Sequence, residues 1–336
     1  MSKDKRLIAV AGGTSPTLGT SIVNALAEST LCTPIIISRL KHGVEKPETK
    51  TTPSGRQVEI RYANYDDEES LIDVLKDIHT VISVILIMGP SWASTQIGLL
   101  NAAKRAGVKR FAPSEFELGP LASGRIDVTA GVKPTVWKAC QESGLEVARF
   151  QCGGFYQSLL QYGTNNKRFN DETKRKMEEA MHGLVDADHM WSLQRETAHD
   201  LVTDDGKSPK LTMTSIVDIG KFVAAACEMP DGKWQENMSM VGQTLPLSEI
   251  TNMLEELSGI QLKRRRIDRK ELKERIDAVD GIGQTEEEII GKLWNQIELI
   301  SLDDQEGASR LKPILNELCP QVQPMKLREY LEGVFT

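Results

Sequence analysis

The stretch from Leu7 to Gly19, which reads LIAVAGGTSPTLG, decides the fold class. Its first part, Leu7–Ala11, is a short apolar run between charged residues and Gly12-Gly13, a pattern that predicts a buried strand. Apolar residues then recur at helical spacing, at Leu18, Ile22, Ala25 and Leu26. The chain therefore opens with a strand, a glycine loop and a helix.

The glycine loop is similar to a dinucleotide-binding loop but departs from its usual spacing. Such a loop turns tightly, approaches a pyrophosphate closely and points a helix N-terminus at the phosphate charge. If the motif is counted from Gly13, Pro16 takes the place of the middle glycine. If it is counted from Gly12, Ser15 takes that place and one extra residue precedes Gly19. The alternative is a plain strand-to-helix turn. The residues predicted to hold a cofactor here are Gly12, Gly13, Thr14, Ser15, Thr17, Leu18 and Gly19.

Strand-like and helix-like segments alternate through the first 150 residues. Further strands are predicted at Pro34–Ser38, Val58–Tyr62, Thr80–Ile87, 109–112 and Leu145–Phe150, with helices at 93–106 and 131–143 between the later ones. This alternation predicts a Rossmann-type, doubly wound parallel sheet of the α/β class. It fails after residue 150, so we expect a dinucleotide-binding domain over 1–153 and a smaller, helix-rich lobe over 154–336, with some segments returning to the sheet.

Composition excludes several classes of protein. The chain has 336 residues, of which 40% are hydrophobic and 26% charged, which argues against a disordered or fibrous protein. Its net charge of −7 argues against binding nucleic acid, and its longest apolar run, Val81–Met88, is too short to cross a membrane. No signal peptide is recognisable at the N-terminus, and the five cysteines are scattered. We therefore expect a cytoplasmic protein.

Arg39 gives the first indication of which cofactor binds. It follows Ser38 at the end of the second predicted strand, 20 residues beyond Gly19. An acidic residue there accepts hydrogen bonds from the ribose 2′-hydroxyl of NAD, whereas an arginine pairs with the 2′-phosphate of NADP. Arg39, with Lys41 beside it, therefore predicts NADP(H). The alternative is a solvated surface arginine.

With these residues in view, the sequence resembles the isoflavone reductase-like and NmrA-like branch of the atypical short-chain dehydrogenases. The resemblance covers most of the chain and is most specific at Pro113-Ser114-Glu115-Phe116. It also runs through Tyr65-Asp66-Asp67, Val81-Ile82-Ser83, Gly153-Gly154-Phe155-Tyr156, Val217-Asp218-Ile219-Gly220 and Leu245-Pro246-Leu247-Ser248. Members of that family reduce a conjugated or benzylic carbon with NADPH, as in isoflavone, pinoresinol and phenylcoumaran reduction.

The resemblance implies that Lys133 is the catalytic residue. The usual Tyr-x-x-x-Lys pair of short-chain dehydrogenases is missing, since no tyrosine has a lysine four residues later. As a base near pH 7, Lys133 would need its proton affinity lowered by about 3 pH units, or about 4 kcal/mol. Remaining charged, it would hydrogen-bond the nicotinamide ribose and polarise a substrate oxygen. We favour the charged role, with a surface lysine as the alternative.

Other predicted contacts follow the strand ends. Ser83 and Val84 belong to the fourth predicted strand and are predicted to contact the cofactor. Phe155 is expected beside the nicotinamide and Tyr156 beside the substrate, with core packing as the alternative for both. The substrate contacts are predicted at Ser114, Glu115 and Tyr156, and at Met190 and Trp191 in a lid.

Two clusters of polar side chains are not assigned a function. His182, His189 and His199 lie 7 and 10 residues apart, unlike the spacing of a helical zinc site, so no metal is expected. Lys263-Arg264-Arg265-Arg266 precedes a capping box at Asp268 and is interpreted as a solvated strand end rather than a nucleic-acid patch.

The sequence therefore predicts an NADPH-dependent reductase of a small aromatic or polyketide-like metabolite, acting as a monomer or homodimer. Two alternatives stay open. One is a non-catalytic NADP sensor of the NmrA type, against which Lys133 argues. The other is a non-redox isomerase or cyclase on the same fold, which the altered glycine loop allows because Pro16 has no N–H to donate.

Overall fold

The computed structural model of the chain describes residues 5–40, 48–87, 91–160, 163–180 and 189–336. A seven-stranded sheet forms its N-terminal part, in the order β3-β4-β2-β1-β5-β6-β7. All neighbouring strands are parallel except β3, which pairs antiparallel with β4 at the edge. The strands are β1 (Arg6–Ala11), β2 (Cys32–Arg39), β3 (Thr49–Thr51), β4 (Gln57–Ala63), β5 (Thr80–Ser83), β6 (Arg110–Ala112) and β7 (Glu146–Val147).

The order of the parallel strands is that of the Rossmann fold, with the reversal between β1 and β5. The predicted fold class is thereby confirmed. The helices connecting these strands are α1 (Leu18–Glu28), α2 (Glu68–Val74), α3 (Ser91–Arg105), α4 (Asp127–Ala130) and α5 (Lys133–Glu142). Asp67 caps α2 by accepting hydrogen bonds from the Glu69 and Ser70 amides.

The C-terminal half contains more strand than its polar sequence indicates. Two small sheets have the orders β12-β11-β8 and β13-β10-β9. Their strands are β8 (Gly154–Phe155), β9 (Trp191–Ser192), β10 (Thr197–Leu201), β11 (Lys210–Thr214), β12 (Gln243–Pro246) and β13 (Lys263–Ile267). The helices are α6 (Asp171–Ala180), α7 (Ile216–Glu228), α8 (Leu247–Ser258), α9 (Arg269–Asp277), α10 (Glu286–Ser301), α11 (Ile314–Leu318) and α12 (Leu327–Phe335).

Segments beyond residue 153 pack on the first sheet. Helix α7 packs along α1, and Phe222 and Val223 of α7 share one buried cluster with Ile22 and Val23 of α1. The amide of Arg149 donates to Glu236, and the amide of Met238 donates to Arg149. A second cluster, with Leu254 and Leu331 fully buried, fills the C-terminal half. Among the described residues, no helix has the length and apolarity needed to span a bilayer.

Candidate functional site

The glycine loop brings the start of α1 against the end of β1. A Cβ on Gly19 would lie 2.3 Å from the Gly12 carbonyl oxygen, so no other residue fits there. Gly12 has φ +86°, and a Cβ on it would lie 3.2 Å from Cγ2 of Val84. Pro16 is exposed, so the irregular residue of the loop lies at the surface. The close approach that a dinucleotide loop needs is therefore present despite the altered spacing.

The first turn of α1 leaves its amides available to an anion. The N-cap residue Thr17 makes no side-chain cap, and the turn contains no acidic residue. The amides of Leu18 and Gly19 precede the first intrahelical bonds, so they have no partner within the helix. A helix start with these properties binds phosphate groups. The site thus fits the pyrophosphate of a dinucleotide, with the exposed Thr14 and the half-buried Ser15 beside it.

Arg39 ends β2 and is exposed, and no carboxylate among the described residues forms an ion pair with it. Lys50, which the sequence analysis missed, is a second cation near the loop: its Nζ donates to Thr20 Oγ1 at 2.7 Å. Burial lowers the pKa of Lys50. The three-residue edge strand β3, too short for a periodic pattern, brings Lys50 there. Lys41 lies outside the described residues.

Gln96 of α3 joins the ends of β5 and β6. Its Nε2 donates to Ser83 Oγ at 2.9 Å, and its Oε1 accepts from the Ser114 amide at 3.4 Å. Ser83 and Gln96 are fully buried. The Ser83 hydroxyl therefore faces Gln96, and the contact of Ser83 with the cofactor stays a prediction. Val84, beneath Gly12, and the half-buried Ser114 follow the carboxyl ends of β5 and β6.

Lys133 begins α5 and is 7% exposed. Its Nζ contacts the Glu117 carboxylate and lies 5.8 Å from the centre of the Trp92 ring. The segment that precedes Lys133 is tied to the C-terminal half: Lys292 Nζ of α10 lies 2.7 Å from Asp127 Oδ2 of α4. A residue of the C-terminal half thus helps to hold the segment that leads into α5.

Glu115 lies beside Lys133 in the interior. It is 1% exposed, and its Oε1 has no hydrogen-bond partner among the described residues. Burial raises the pKa of Glu115 to about 7; Lys133 and Arg149 oppose the rise and Glu117 adds to it. Glu115 therefore holds its proton to near neutral pH and can donate a hydrogen bond there.

Replacing Glu115 by glutamine should change how stability depends on pH. A carboxyl whose pKa is higher in the folded than in the unfolded chain favours the folded state at low pH. That contribution is lost as the pH rises toward about 7. From about pH 5 to about pH 8, the free energy of unfolding of the wild type should therefore fall by about 2–3 kcal/mol more than that of Glu115→Gln. Urea unfolding at both pH values measures this. Parallel pH profiles of the two proteins would contradict it.

Three predicted substrate residues belong to the core instead. Tyr156 is 0% exposed, and its hydroxyl donates to the Met325 carbonyl at 3.3 Å. Met190 and Trp191 are 1% and 4% exposed, and the Trp191 indole donates to Thr251 Oγ1 at 2.9 Å. Their predicted substrate contacts are corrected, because apolar packing buries these side chains. Phe155, at the end of β8, stays half-buried.

The remaining predicted residues lie along one edge of the sheet. Because β1, β2, β5 and β6 are parallel, their carboxyl ends meet at the same edge. The glycine loop, Arg39, Val84 and Ser114 follow those strand ends. Lys133 is linked to this edge through Glu117. A cavity of about 960 Å³ begins at Pro16 and Thr17 of the glycine loop and extends between α1, α7 and the 52–54 turn, and neither Arg39 nor Lys133 lines it.

Among the described residues, no group of three histidine, cysteine or acidic side chains is arranged to bind a metal ion. His199 Nδ1 lies 2.9 Å from Glu298 Oε1, and both side chains are buried. His182 lies outside the described residues.

The strand order and the glycine loop define a Rossmann-type α/β protein. Within that class the chain belongs to the NmrA-like family, whose model matches residues 4–331. The resemblance stated from the sequence is thereby confirmed.

Curated relatives and solved structures extend this likeness. The chain is 28% identical over 258 residues to oxidoreductase BOA1 of Botryotinia fuckeliana, covering 75% of this chain and 76% of that protein. It is 26% identical to asnovolin J 5′,6′-dehydrogenase nvfM of Aspergillus novofumigatus, covering 77% and 71%. The structure of leucoanthocyanidin reductase with NADPH from Vitis vinifera superposes with a TM-score of 0.68 at 17% identity, covering 98% and 99%. At that identity the superposition establishes the fold.

Proposed function

We propose that the chain is an NADPH-dependent reductase that transfers hydride to a conjugated or benzylic carbon of a small aromatic or polyketide-like molecule. The single observation that carries the proposal is the shared sheet edge: the uncapped start of α1 and Arg39 lie at the carboxyl ends of β1 and β2, and the buried Lys133 begins the helix α5 that follows β6. The relatives named as an oxidoreductase and a dehydrogenase support redox chemistry over a sensor or an isomerase.

The residues that would hold NADPH fall into two groups. The Leu18 and Gly19 amides receive the pyrophosphate, and Arg39 with Lys50 pairs with the 2′-phosphate. Bound there, NADPH supplies the hydride. Phe155 and Val84 provide apolar surface beside it.

Lys133 acts as an ammonium in this proposal. It donates a hydrogen bond to a substrate oxygen, which stabilises the negative charge that develops there as the neighbouring carbon is reduced. Ser114 and Glu115, on the strand end before it, offer further polar groups. Leu86 and Leu121 are 78% and 51% exposed on the segments after β5 and β6, which favours an apolar substrate.

Calorimetric titration with NADPH tests the proposal. We expect both the wild type and Lys133→Ala to bind NADPH, because Lys133 contributes more to the reaction than to the affinity for the cofactor. Absence of heat with NADPH and NADP⁺ at millimolar concentration would contradict a redox function. Binding without turnover of any conjugated aryl ketone would favour the sensor.

Replacing Arg39 by alanine should reduce the preference for NADPH over NADH. A charge-assisted hydrogen bond is worth about 1.5–3 kcal/mol, so the preference should fall by about 10- to 150-fold. The dissociation constants of both cofactors measure it. Arg56→Ala is the matched control, since Arg56 is also exposed but pairs with Glu28 at 3.5 Å. An unchanged preference in Arg39→Ala would contradict the assignment.

A further inference from the structure

The cavity of about 960 Å³ between α1, α7 and the 52–54 turn has no part in the reduction proposed above. We propose that this α1–α7 cavity binds a small amphipathic carboxylate, which is an apolar molecule with one negative charge. The inference goes beyond the reductase, because neither Arg39 nor Lys133 lines the cavity. Its volume lies within the range of pockets that bind small organic molecules, about 300–1,000 Å³.

The packing of α7 on α1 leaves this space open. The two helices are parallel: the Ser21 hydroxyl donates to the Ile216 carbonyl at 2.8 Å where α7 begins, and the Ser29 hydroxyl donates to Glu228 Oε1 at 2.5 Å where α7 ends. They approach most closely at Gly220, where a Cβ would lie 2.6 Å from the Ser21 carbonyl oxygen. Beyond that contact the wall consists of short side chains, which leave the space unfilled: Ala25, Ala224 and Ala225.

The wall of the cavity is mostly apolar. Ile216, Val217 and Val334 line it together with the alanines and Pro53. Val217, on the first turn of α7, is 53% exposed although its side chain is a hydrocarbon. A concave apolar wall with a few polar groups is typical of sites that bind small organic molecules.

Lys176 of α6 gives the cavity a cation. It is half-buried, and no carboxylate among the described residues forms an ion pair with it. Helix α6 packs against α12, which brings Lys176 near Tyr330, another lining residue. The Tyr330 hydroxyl is buried and has no hydrogen-bond partner among the described residues. A carboxylate bound at this end would pair with the cation and supply the acceptor that the hydroxyl lacks.

The other end of the cavity is acidic. Glu28 and Glu228 are the last residues of α1 and α7. Glu28 lies 3.5 Å from Arg56, whereas no cation among the described residues pairs with Glu228. Lys221, between the two ends, already pairs with Asp218 at 2.8 Å. The charge of the ligand is thereby directed to the Lys176 end, and its apolar body to the wall between the ends.

Titration calorimetry with 3-phenylpropanoate tests the proposal on the full chain without cofactor. This probe is an amphipathic carboxylate with no conjugated carbon to reduce. We expect a dissociation constant of about 0.1–1 mM, which is typical of a ligand of this size. The neutral 3-phenylpropanamide has the same shape but cannot form the ion pair, so it should bind about three- to tenfold more weakly. Equal affinities for the two probes would overturn the proposal.

Replacing Lys176 by glutamine shows whether the probe binds in this cavity. Lys176→Gln should weaken binding of the carboxylate by about three- to tenfold and leave binding of the amide unchanged. Lys174→Gln is the matched control, since Lys174 is half-buried on the same helix but does not line the cavity. Unchanged binding of the carboxylate by Lys176→Gln would place the probe elsewhere and overturn the proposal.

Filling the cavity gives a second test. Val217→Trp should weaken binding of both probes by about tenfold or more, because the indole takes the place of the apolar body. Leu31→Trp is its control, at an exposed apolar position outside the cavity. Full affinity in Val217→Trp would contradict the proposal. So would dissociation of a ligand-free dimer by Val217→Trp, measured by sedimentation, because the cavity would then be an interface between two copies of the chain.

Saturating NADPH separates this site from the proposed function. Of the glycine loop, only Pro16 and Thr17 line the cavity, and neither provides its cation. The carboxylate should therefore bind with and without NADPH. Its displacement by NADPH would assign it to the cofactor site and overturn the proposal. If NADPH itself does not bind, the reductase is contradicted, while binding of the carboxylate that depends on Lys176 still supports the cavity.

Discussion

Replacing Lys133 by methionine should lower kcat for reduction of a conjugated aryl ketone by about 10²–10³-fold, the usual loss when one donor to a developing anion is removed. Methionine fills much of the same space between Trp92 and Glu117. The loss should appear mainly in kcat, because the interaction strengthens as charge develops on the substrate oxygen.

The measurement is oxidation of NADPH with benzylideneacetone as the probe, in parallel with NADPH affinity. Lys138→Met is the control, because it removes an exposed lysine from the same helix and should leave kcat unchanged. Equal kcat values for the wild type and Lys133→Met, with NADPH bound by both, would show that Lys133 takes no part in the reaction.

The Rossmann sheet and its glycine loop were predictable because their signals are local. A β-branched run such as Ile35–Ile37 shows a buried strand without knowledge of its neighbours. Gly19 is needed for its contact with the nearby Gly12 carbonyl, and Gly12 for its positive φ, so the sequence alone indicates both. Strand β5 ends at Ser83 rather than at Ile87, because β6 pairs only with Thr80–Ile82 and β1 only with Thr80–Ser83.

The polar surroundings of Lys133 could not be predicted, because they depend on contacts distant in sequence. Lys292 of α10 pairs with Asp127 of α4, from the other half of the chain. Gln96 offered one signal that was missed: it is a polar residue on the buried face of α3, in line with Trp92 and Leu99. A polar side chain on an apolar face needs a buried partner.

Tyr156 was predicted to contact the substrate but lies in the core. The family motif placed Tyr156 at the site, but a motif does not report which way a side chain points. Tyr156 packs on Tyr330 of α12, with ring centres 5.7 Å apart, and α12 arrives from the far end of the chain. The packing of a distant helix therefore decides whether Tyr156 is core or site.

Replacing Arg110 by methionine should lower the free energy of unfolding by about 3–5 kcal/mol, the usual loss when one partner of a buried ion pair is removed. The Arg110 side chain is 0% exposed; its Nε donates to Glu146 Oε2 at 2.8 Å and its Nη1 to the Met229 carbonyl at 2.9 Å. Burial alone would raise the pKa of Glu146, but hydrogen bonds from Arg110 and two backbone amides hold it below its ordinary value.

Arg110 joins β6 to the segment after α7, so its loss should also loosen the contact between the two halves of the chain. Urea unfolding measures the change. Arg56→Met, which breaks an exposed pair with Glu28, should cost less than about 1 kcal/mol. Adding Glu146→Gln to Arg110→Met should recover part of the loss, because the carboxylate left without its partner is then removed. A double variant as unstable as the sum of the two single variants would show that Arg110 stabilises through its other contacts, the Trp234 ring at 5.0 Å and the Met229 carbonyl, rather than through Glu146.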